Sequence, residues 1–305
     1  MRVHDDWATP AFELDPTSPN TGPFVRREML RVWTEVRGDP AAVRLVENGS
    51  GLLAFYATDA TLQFIGEKDL IDYRSPLGSE IPALVASYLE QLPPGTTIRF
   101  DSLPSDAAAA IGSGLALIGL EAEPVQHEIA AILELPSDEA EWLAGLERKQ
   151  RHEVRRKARR FEAAAGTISL RREHGKEATA AFIAMHRLAH GAKGAFMNPG
   201  MGEFFTALEA RAEAVIDFLD GAEGPVAAAF GFEDQNAYYF YNSAYDPDAA
   251  ELSPGIILVQ ALVRQAIRSG KRIFDFLKGD EMYKFKLGAS PRPLYAIETS
   301  LERGR

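Results

Sequence analysis

The sequence contains no cysteine among its 305 residues. This absence excludes disulfide bonds, a thiol nucleophile and thiolate ligands for a metal ion. No apolar run approaches the ~20 residues that a membrane-spanning helix needs, so we expect no integral membrane segment. The N-terminal stretch MRVHDDWATP lacks the basic and then apolar pattern of a signal peptide. A cytoplasmic protein is therefore the expectation.

The composition, with 46% hydrophobic and 10% aromatic residues, is that of a globular protein with a full core. The length allows two ordinary domains or one large domain. Acidic side chains outnumber basic ones unevenly, because residues 1–145 carry 9 of the 33 basic and 23 of the 44 acidic side chains. Residues 146–305 are slightly basic as a result, so we expect an anionic ligand to bind in that half.

Each half of the chain is predicted to contain, in order, a helix, several strands, a helix, a strand, a helix and a strand. This order predicts an α/β protein with a mixed (α+β) sheet in each half. We place the domain boundary before Ser137, which gives one domain over residues 1–136 and a second over 137–305. In the second domain, residues 138–165 are predicted to form one long helix with a narrow apolar seam.

The block of residues 237–288 reads as a strand, a helix, a second strand and a polar loop. Ser253 is predicted as the helix N-cap and Pro254 as the first helical residue, since a serine hydroxyl caps helices and the first turn tolerates proline. RIFDFL, residues 272–277, is the second strand. Such a unit usually pairs its strands in parallel, and ligands then bind at strand carboxyl ends and helix N-termini.

A basic segment, RKQRHEVRRKARR at residues 148–160, has eight basic side chains and one acid. Such a helix can hold the phosphates of tRNA or of a nucleotide, or lie on an anionic lipid surface. The alternative is a solvated helix that pairs with the acidic first half. No aromatic residues are interleaved to stack on bases.

Several separated motifs resemble a known family. The segments SPG (253–255), FDFLKGDEMYKFKLG (274–288) and RKQRHEVRRKARRFE (148–162) resemble the CelD/BcsL-type branch of the GNAT acyltransferase superfamily. LQFIGEKDLIDYRSPLG (62–78) resembles a matching segment of that group. The sequence is also similar to the FemAB-like transferases, which pair two GNAT-like domains in one chain. The resemblance spans about residues 25–300 and implies two tandem GNAT-like domains, the second of which holds the donor cleft.

The resemblance implies transfer of an acyl group, acetyl by preference, to an amine or hydroxyl of a small molecule or an envelope glycan precursor. In GNAT enzymes the donor is acyl-CoA. Its carbonyl is polarised by a backbone N–H where two parallel strands separate, here 237–244 and 272–277. Its pyrophosphate lies on a helix N-terminus, here at Pro254. In FemAB-like proteins the donor is an aminoacyl-tRNA and the acceptor is a peptidoglycan precursor.

The chain departs from the GNAT pattern at the pyrophosphate loop. That loop usually reads Q/R-x-x-G-x-G/A, whereas the residues before the helix are Leu252-Ser253-Pro254-Gly255-Ile256, with one glycine and a proline that lacks an N–H donor. Three hypotheses therefore remain: an acyl-CoA-dependent transferase, an aminoacyl-tRNA-dependent transferase, and a non-catalytic binding or scaffold protein in envelope polysaccharide export.

The end of the second strand and the polar loop that follows it supply the expected catalytic side chains. Asp275 or Glu281 is the expected base for the acceptor nucleophile. Tyr283 is the expected proton donor to the leaving group, and Lys284 an anchor for a carboxylate or phosphate. The alternative is a solvated turn. The expected cofactor-binding residues lie around the same strand and helix ends: Tyr241, Asn242, Ser243, Ser253, Pro254, Gly255, Ile256, Lys278 and Gly279. Core packing is the alternative for the strand residues.

The acceptor is expected to meet the polar loop 190–202, through His190, Lys193 and Asn198. Asp72 and Tyr73 of the first domain either help to bind the acceptor or cap a turn. His186 and His190 are four residues apart, a spacing that can place two metal ligands on one helix face. No acid lies between them and no third ligand is near in sequence, so we expect no metal site.

Overall fold

The structure is a computed structural model that describes residues 1–58 and 60–301. Its strands are β1 (Arg2–His4), β2 (Val43–Glu47), β3 (Gly51–Thr58), β4 (Thr61–Phe64), β5 (Leu77–Gly78), β6 (Thr97–Leu103), β7 (Val125–Glu134), β8 (Leu170–Glu173), β9 (Val215–Asp220), β10 (Pro225–Glu233), β11 (Ala237–Tyr245), β12 (Ile273–Lys278) and β13 (Ser290–Ser300). Its helices are α1 (Arg27–Val36), α2 (Ile81–Leu89), α3 (Ser105–Leu117), α4 (Glu139–Gly145), α5 (Arg148–Ala165), α6 (Gly175–Arg187), α7 (Ala192–Phe196), α8 (Pro199–Arg211), α9 (Pro254–Arg268) and α10 (Met282–Lys286). None of the helices in the described part of the chain is both long and apolar enough to cross a membrane.

The chain folds into two compact units. Unit 1 consists of Met1–Ile129 together with the segment that begins at Arg292, and unit 2 consists of Ala130–Pro291. These bounds differ from the predicted division at residue 136. The reason lies in strand pairing, because the last residues of β7 pair with β12 of unit 2, while β13 pairs with β6 of unit 1. Unit 1 is therefore discontinuous in sequence.

Each unit contains a mixed sheet, which confirms the predicted α/β class. In unit 1 the strand order is β1-β2-β3-β4-β6-β13, with β5 paired to β3. Its neighbours are antiparallel except for the parallel pair β4 and β6. In unit 2 the order is β7-β12-β11-β10-β9-β8, and again a single neighbouring pair of the order, β11 and β12, is parallel.

The parallel pair of unit 2 positions the site. Its register joins Ala237–Tyr239 to Ile273–Asp275, and both strands continue beyond that ladder, to Tyr245 and Lys278. The connection between them is α9, as predicted. One side of the strands is stabilised by aromatic stacking, in which the ring of Tyr238 lies 5.3 Å from that of Phe274. The carboxyl ends of β11 and β12 and the N-terminus of α9 therefore lie in one region of unit 2.

The predicted long helix over residues 138–165 is wrong, because it is broken into α4 and α5. Leu146 adopts extended geometry (φ −73°, ψ 150°), and Glu147 then starts α5 with a capping box in which Gln150 is the reciprocal partner. The guanidinium of Arg151 donates to the carbonyl oxygens of Leu143 (3.2 Å), Ala144 (2.9 Å) and Leu146 (3.0 Å). These bonds satisfy carbonyls that the end of α4 leaves without helical partners.

Two predicted polar loops also differ from expectation. The segment 190–202 contains α7 and the first turn of α8 rather than irregular loop alone. The segment 66–78 lacks a helix but is largely buried, with Ile71 and Tyr73 fully enclosed. Every residue from 70 to 77 is buried, including the polar Asp72, Arg74 and Ser75, and Arg74 pairs with Asp101 at 2.7 Å. The polar residues of this segment gave no sign of this burial in the sequence.

Candidate active site

A cleft of ≈ 440 Å³ opens beside the N-terminus of α9. It is formed by the ends of β11 and α9, by α7 and by the segment that leads into α10. Eight of its lining residues were predicted from the sequence: Lys193, Ser243, Ser253, Pro254, Gly255, Ile256, Glu281 and Tyr283. Tyr245, Ala250 and Val259 complete the lining. The structure thus brings together residues that are up to 90 positions apart in sequence.

Ser253 starts α9, but not as the predicted N-cap. It adopts left-handed geometry (φ 55°, ψ 47°), and its side chain makes no capping bond to the helix. Its hydroxyl instead accepts a hydrogen bond from the ammonium of Lys157 at 2.8 Å. The left-handed conformation of a non-glycine residue costs about 1–2 kcal/mol, and such costs are concentrated at functional sites.

The backbone at the start of α9 offers few donors to an anion. Pro254 has no N–H, and the N–H groups of Ile256 and Ile257 both donate to the carbonyl of Ser253, at 3.0 and 3.2 Å. In this first turn, the N–H of Gly255 is the one for which the described residues supply no acceptor. The helix start alone is therefore a weak anion site compared with a glycine-rich loop.

Two lysines flank this helix start. Lys157 of α5 reaches Ser253, and the ammonium of Lys193 lies 5.1 Å from the ring centre of Tyr245. Neither forms an ion pair with a carboxylate in the described part of the chain. Burial lowers the pKa of Lys193. Because both cations lack an acidic partner, the cleft is suited to a negatively charged ligand.

Tyr283 lines both the cleft and a neighbouring cavity. Its ring packs edge-on against Phe276, at 6.2 Å between centres. Burial raises the pKa of the phenol well above its ordinary value, and the charge of Glu281 adds to the effect. None of the described residues hydrogen-bonds its hydroxyl, which remains protonated, and the residue lines the cleft. This arrangement suits a proton donor.

Lys284 has a different environment from the one predicted. Its buried ammonium donates to the carbonyls of Leu277 (3.3 Å), Lys278 (2.6 Å) and Gly279 (3.3 Å). It also pairs with Glu281 at 2.9 Å. These bonds fix the turn after β12. The ammonium therefore donates its hydrogen bonds within the protein and not to a ligand. Burial alone would raise the pKa of Glu281, but the hydrogen bond and charge of Lys284 outweigh it and lower that pKa.

Asp275 lies inside the sheet. It is fully buried, and its Oδ1 accepts the N–H of Leu277 at 2.8 Å. Leu277 has φ 61°, and the pairing of β12 with β7 shifts register between Asp275 and Lys278. The carboxylate therefore supports a β-bulge at the point where the parallel ladder ends. The bulge separates the strand ends beside which the cleft opens.

The other predicted acceptor residues do not line the cleft. Asn198 caps α8, because its Oδ1 accepts the N–H of Met201 at 3.0 Å. His190 is exposed and lies beyond α6, which ends at Arg187, so it does not share a helix face with His186. Burial and the nearby Lys193 lower the pKa of His186, which hydrogen-bonds Asn242.

Five further predicted residues also lie away from the cleft. Tyr241 packs against Phe205, 5.7 Å between ring centres. Lys278 and Gly279 contribute carbonyls to Lys284, and Gly279 takes φ 111° beside the Glu281 carboxylate. Asp72 and Tyr73 are buried in unit 1, where Arg292 lies 4.8 Å from the Tyr73 ring centre. The two unit 1 residues are thus parts of a packed core segment.

A second cavity of ≈ 260 Å³ borders the cleft, and we call it the α5 pocket. It shares Ile256 and Tyr283 with the cleft. Its other lining residues are Gln150, Glu153, Val154, Lys157, Gln260, Lys286 and Leu287. The basic helix α5 therefore forms a wall of the candidate site, which its sequence did not reveal. One signal was present: Gln260 is the lone polar residue in the apolar run IILVQALV.

The side chains of α5 divide into paired and unpaired cations. Arg156 pairs with Glu153 and Arg160 with Glu251. Arg155 and Arg159 are exposed and have no carboxylate partner among the described residues. The exposed face of α5 is therefore a patch of free positive charge. No group of three or more potential metal-ligating side chains occurs in the residues that the structure describes.

Comparisons with known proteins agree with this architecture. Residues 148–285 match the family model of the acetyltransferase (GNAT) domain. No curated protein matches the sequence. The solved structure of L-PGS from Bacillus licheniformis is similar at 15% identity, with a TM-score of 0.59 over 95% of this chain and 94% of that chain. FemX is similar at 11% identity, with a TM-score of 0.58 over 97% of each chain.

A conserved protein of unknown function from Bacteroides thetaiotaomicron VPI-5482 is similar at 9% identity, with a TM-score of 0.64 over 95% of this chain and 94% of that chain. Identities this low establish a shared fold and not a shared activity. The domain match, together with the fold, supports the GNAT superfamily for the segment that forms most of unit 2. The segment 148–285 contains α5, α9, α10 and the whole cleft.

Proposed function

We propose that the protein is an acyltransferase of the CelD/BcsL-type branch, with its donor bound in the cleft of unit 2. The observation that carries the proposal is the unpartnered, protonated phenol of Tyr283 beside the end of the parallel ladder and the start of α9. The expected donor is acyl-CoA, with acetyl as the first candidate. The expected acceptor is an amine or hydroxyl of a small molecule or envelope glycan precursor in the cytoplasm.

In the proposed reaction the acceptor nitrogen or oxygen attacks the thioester carbonyl, a new bond to carbon forms and the carbon–sulfur bond breaks. Tyr283 donates its proton to the departing thiolate. Glu281, which a lowered pKa keeps ionised, takes the proton of the acceptor. Exchange with water then restores both side chains. Asp275 acts by holding the bulge and not as the base, since it is bonded to Leu277 inside the sheet.

Lysines replace the missing glycines in this proposal. A pyrophosphate near the start of α9 meets the N–H of Gly255 and the ammonium groups of Lys157 and Lys193. Two unpaired cations supply the attraction that a series of backbone N–H groups provides in a glycine-rich loop. The departure at Leu252–Ile256 is therefore compatible with an anionic donor.

Calorimetric titration of the protein with acetyl-CoA and with free CoA tests the proposal. The wild type is compared with two variants of Gly255. A Cβ at Gly255 would meet only the ring of Tyr245, at 3.5 Å, so Gly255→Ala should fold and bind like the wild type. Gly255→Glu adds an anion at the helix start and should abolish binding. Absence of binding by the wild type, or equal binding by both variants, would exclude this donor site.

Transfer from aminoacyl-tRNA is the second candidate, favoured by the free positive charge on α5. It predicts RNA binding that weakens steeply with salt. Arg155→Ala with Arg159→Ala should weaken that binding, whereas Arg156→Ala with Arg160→Ala is the matched control, because those two arginines already pair with Glu153 and Glu251. RNA binding that is absent or insensitive to salt would remove this candidate.

The third hypothesis, a non-catalytic scaffold, makes the opposite genetic prediction. A scaffold keeps its cellular phenotype when Tyr283 is replaced by Phe, since the cleft shape is retained. An acyltransferase loses it while remaining folded. Thermal unfolding of the variant beside the phenotype separates these outcomes.

A further inference from the structure

Gln260 has an unusual environment in the middle of α9. The residue is 3% exposed, and neither its Nε2 nor its Oε1 has a hydrogen-bond partner in the part of the chain that the structure describes. Its neighbours Val259 and Ala261 are buried apolar residues. A buried amide without partners costs roughly 1–3 kcal/mol. A ligand that supplies both partners would offset this cost.

The α5 pocket gives such a ligand a place. Gln260 lines it together with the apolar side chains of Val154, Ile256 and Leu287. Lys157, which reaches Ser253 in the cleft, lines it as well. Gln260 lies five residues after Gly255, which is about 7.5 Å along the helix axis. A molecule with a phosphate at the helix start therefore has only a short distance to cover to reach the amide.

The chemistry of the amide defines the ligand class. A glutamine side chain presents one donor and one acceptor side by side, and this pair matches the N6 amino group and N7 of adenine. A pocket that combines the apolar side chains of Val154, Ile256 and Leu287 with Lys157 and Lys286 suits a planar base joined to a phosphate. We propose that Gln260 binds the base of an adenine nucleotide in the α5 pocket. The inference rests on the proposed function, in which the donor carries adenosine either in CoA or at the 3′ end of tRNA.

Gln260 also borders a third cavity, of ≈ 470 Å³, lined in part by Gln265, Arg264 and Arg268. The two arginines pair with Glu139 at 3.2 and 2.6 Å. This cavity shares no lining residue with the cleft. The α5 pocket shares two lining residues with the cleft, so a donor bound at the start of α9 can extend into it. Gln265 provides a matched control residue on the same helix.

The test uses the two halves of CoA as separate probes. Calorimetry measures binding of adenosine 3′,5′-bisphosphate and of 4′-phosphopantetheine to the wild type, Gln260→Leu and Gln265→Leu. Gln260→Leu should weaken the bisphosphate about tenfold and leave phosphopantetheine unchanged, because only the nucleotide reaches the amide. Gln265→Leu should bind both probes like the wild type.

Thermal unfolding without ligand provides a second readout. Gln260→Leu removes an unpaired buried amide, so its midpoint should rise by about 2–4 °C. A side chain with a purely structural role would lower the midpoint when replaced. A lower midpoint together with unchanged nucleotide binding would overturn the inference.

The outcomes separate this inference from the proposed function. If acetyl-CoA binds but Gln260→Leu weakens neither half, or both halves equally, the adenine contact is wrong and the acyl-CoA proposal stands. If acetyl-CoA and the bisphosphate fail to bind, an RNA oligonucleotide ending in CCA is compared with one ending in CCC. A preference for CCA that Gln260→Leu removes supports the contact with tRNA as the source. Binding of neither the bisphosphate nor the CCA oligonucleotide overturns it.

Discussion

At the scale of single residues, the cleft combines a neutral acid with uncompensated cations. The phenol of Tyr283 is held protonated by burial and by the charge of Glu281, while Lys193 faces the same space without an acidic partner. Both side chains keep the charge states usual for their residue types at neutral pH, while burial shifts the pKa of the phenol upward and that of the ammonium downward. The proposed roles of both side chains rest on these protonation states.

Replacement of Tyr283 by Phe removes the proton donor and keeps the ring that packs on Phe276. We expect kcat to fall roughly 10²-fold, with KM for the donor nearly unchanged, because the proton is transferred only in the transition state. Steady-state kinetics measure both constants. Tyr295→Phe, in unit 1, controls for loss of a tyrosine hydroxyl. An unchanged kcat in Tyr283→Phe would contradict the proposed role.

The lowered pKa of Lys193 predicts a pH dependence of anion binding. Lys193 attracts an anion only when protonated, so affinity falls as pH rises through a pKa below the usual 10.5. Binding of adenosine 3′,5′-bisphosphate between about pH 8 and 10 measures this, since the second ionisation of its phosphates, with a pKa of ~6, is complete there. Lys193→Arg should remove the fall, because arginine stays charged. An identical pH profile in that variant would refute the assignment.

At the scale of elements, the sequence predicts the strands and helices better than their ends. Alternation and proline placement locate β11, α9 and β12 within a residue or two. They cannot predict the left-handed Ser253, because that geometry accompanies a contact with Lys157, which is 96 residues away. Likewise, the hydrogen bonds of the Lys284 ammonium depend on three carbonyls that a bulge and a turn bring together. Site residues on the cleft wall were predictable, but their partners were not.

Strand β9 contains a buried ion network that illustrates the same limit. Asp217 is fully buried. It accepts two hydrogen bonds from Arg172 of β8 and one from the hydroxyl of Tyr238. Burial works against the charge of Arg172, but hydrogen bonds and charge from Asp217 and then Glu233 hold its pKa above the usual value. The network ties β8, β9 and β11 together.

Replacement of Asp217 by Ala leaves Arg172 and Tyr238 without their buried partner. We expect the free energy of unfolding to fall by about 3–5 kcal/mol. Asp220→Ala, on the same strand, is the matched control, because Asp220 pairs with the exposed Arg171 and should contribute only about 0–1 kcal/mol. Urea denaturation measures both. Equal effects of the two substitutions would mean that burial of the network does not matter.

At the scale of the whole molecule, each unit has its own sheet and core, and unit 1 is completed by the end of the chain. Residues Leu294 and Ile297 of β13 are buried in unit 1, and β13 pairs with β6 from Tyr295↔Leu103 to Ser300↔Thr97. The cleft, the α5 pocket and the basic helix all belong to unit 2. The candidate site and the basic patch are thus both in the inserted unit.

A chain that stops after Pro291 should therefore damage unit 1 first. Loss of β13 removes two fully buried apolar side chains, worth roughly 1.5–3 kcal/mol each, and leaves β6 without a partner on one side. Hydrogen exchange should show lost protection in β6 and retained protection in β9 and β10. Equal loss across both units, or none in β6, would contradict the division.

The discontinuity of unit 1 also has a consequence for synthesis. Ribosomes add roughly 5–20 residues per second, so β13 emerges about 10–30 s after the first 129 residues, once unit 2 has been translated. During that interval the nascent chain exposes the edge of β6 with which β13 will later pair. An exposed apolar strand edge is a target for aggregation and for chaperones. The order of translation thus makes the N-terminal half, and not the half that carries the cleft, the part of the nascent chain most in need of protection.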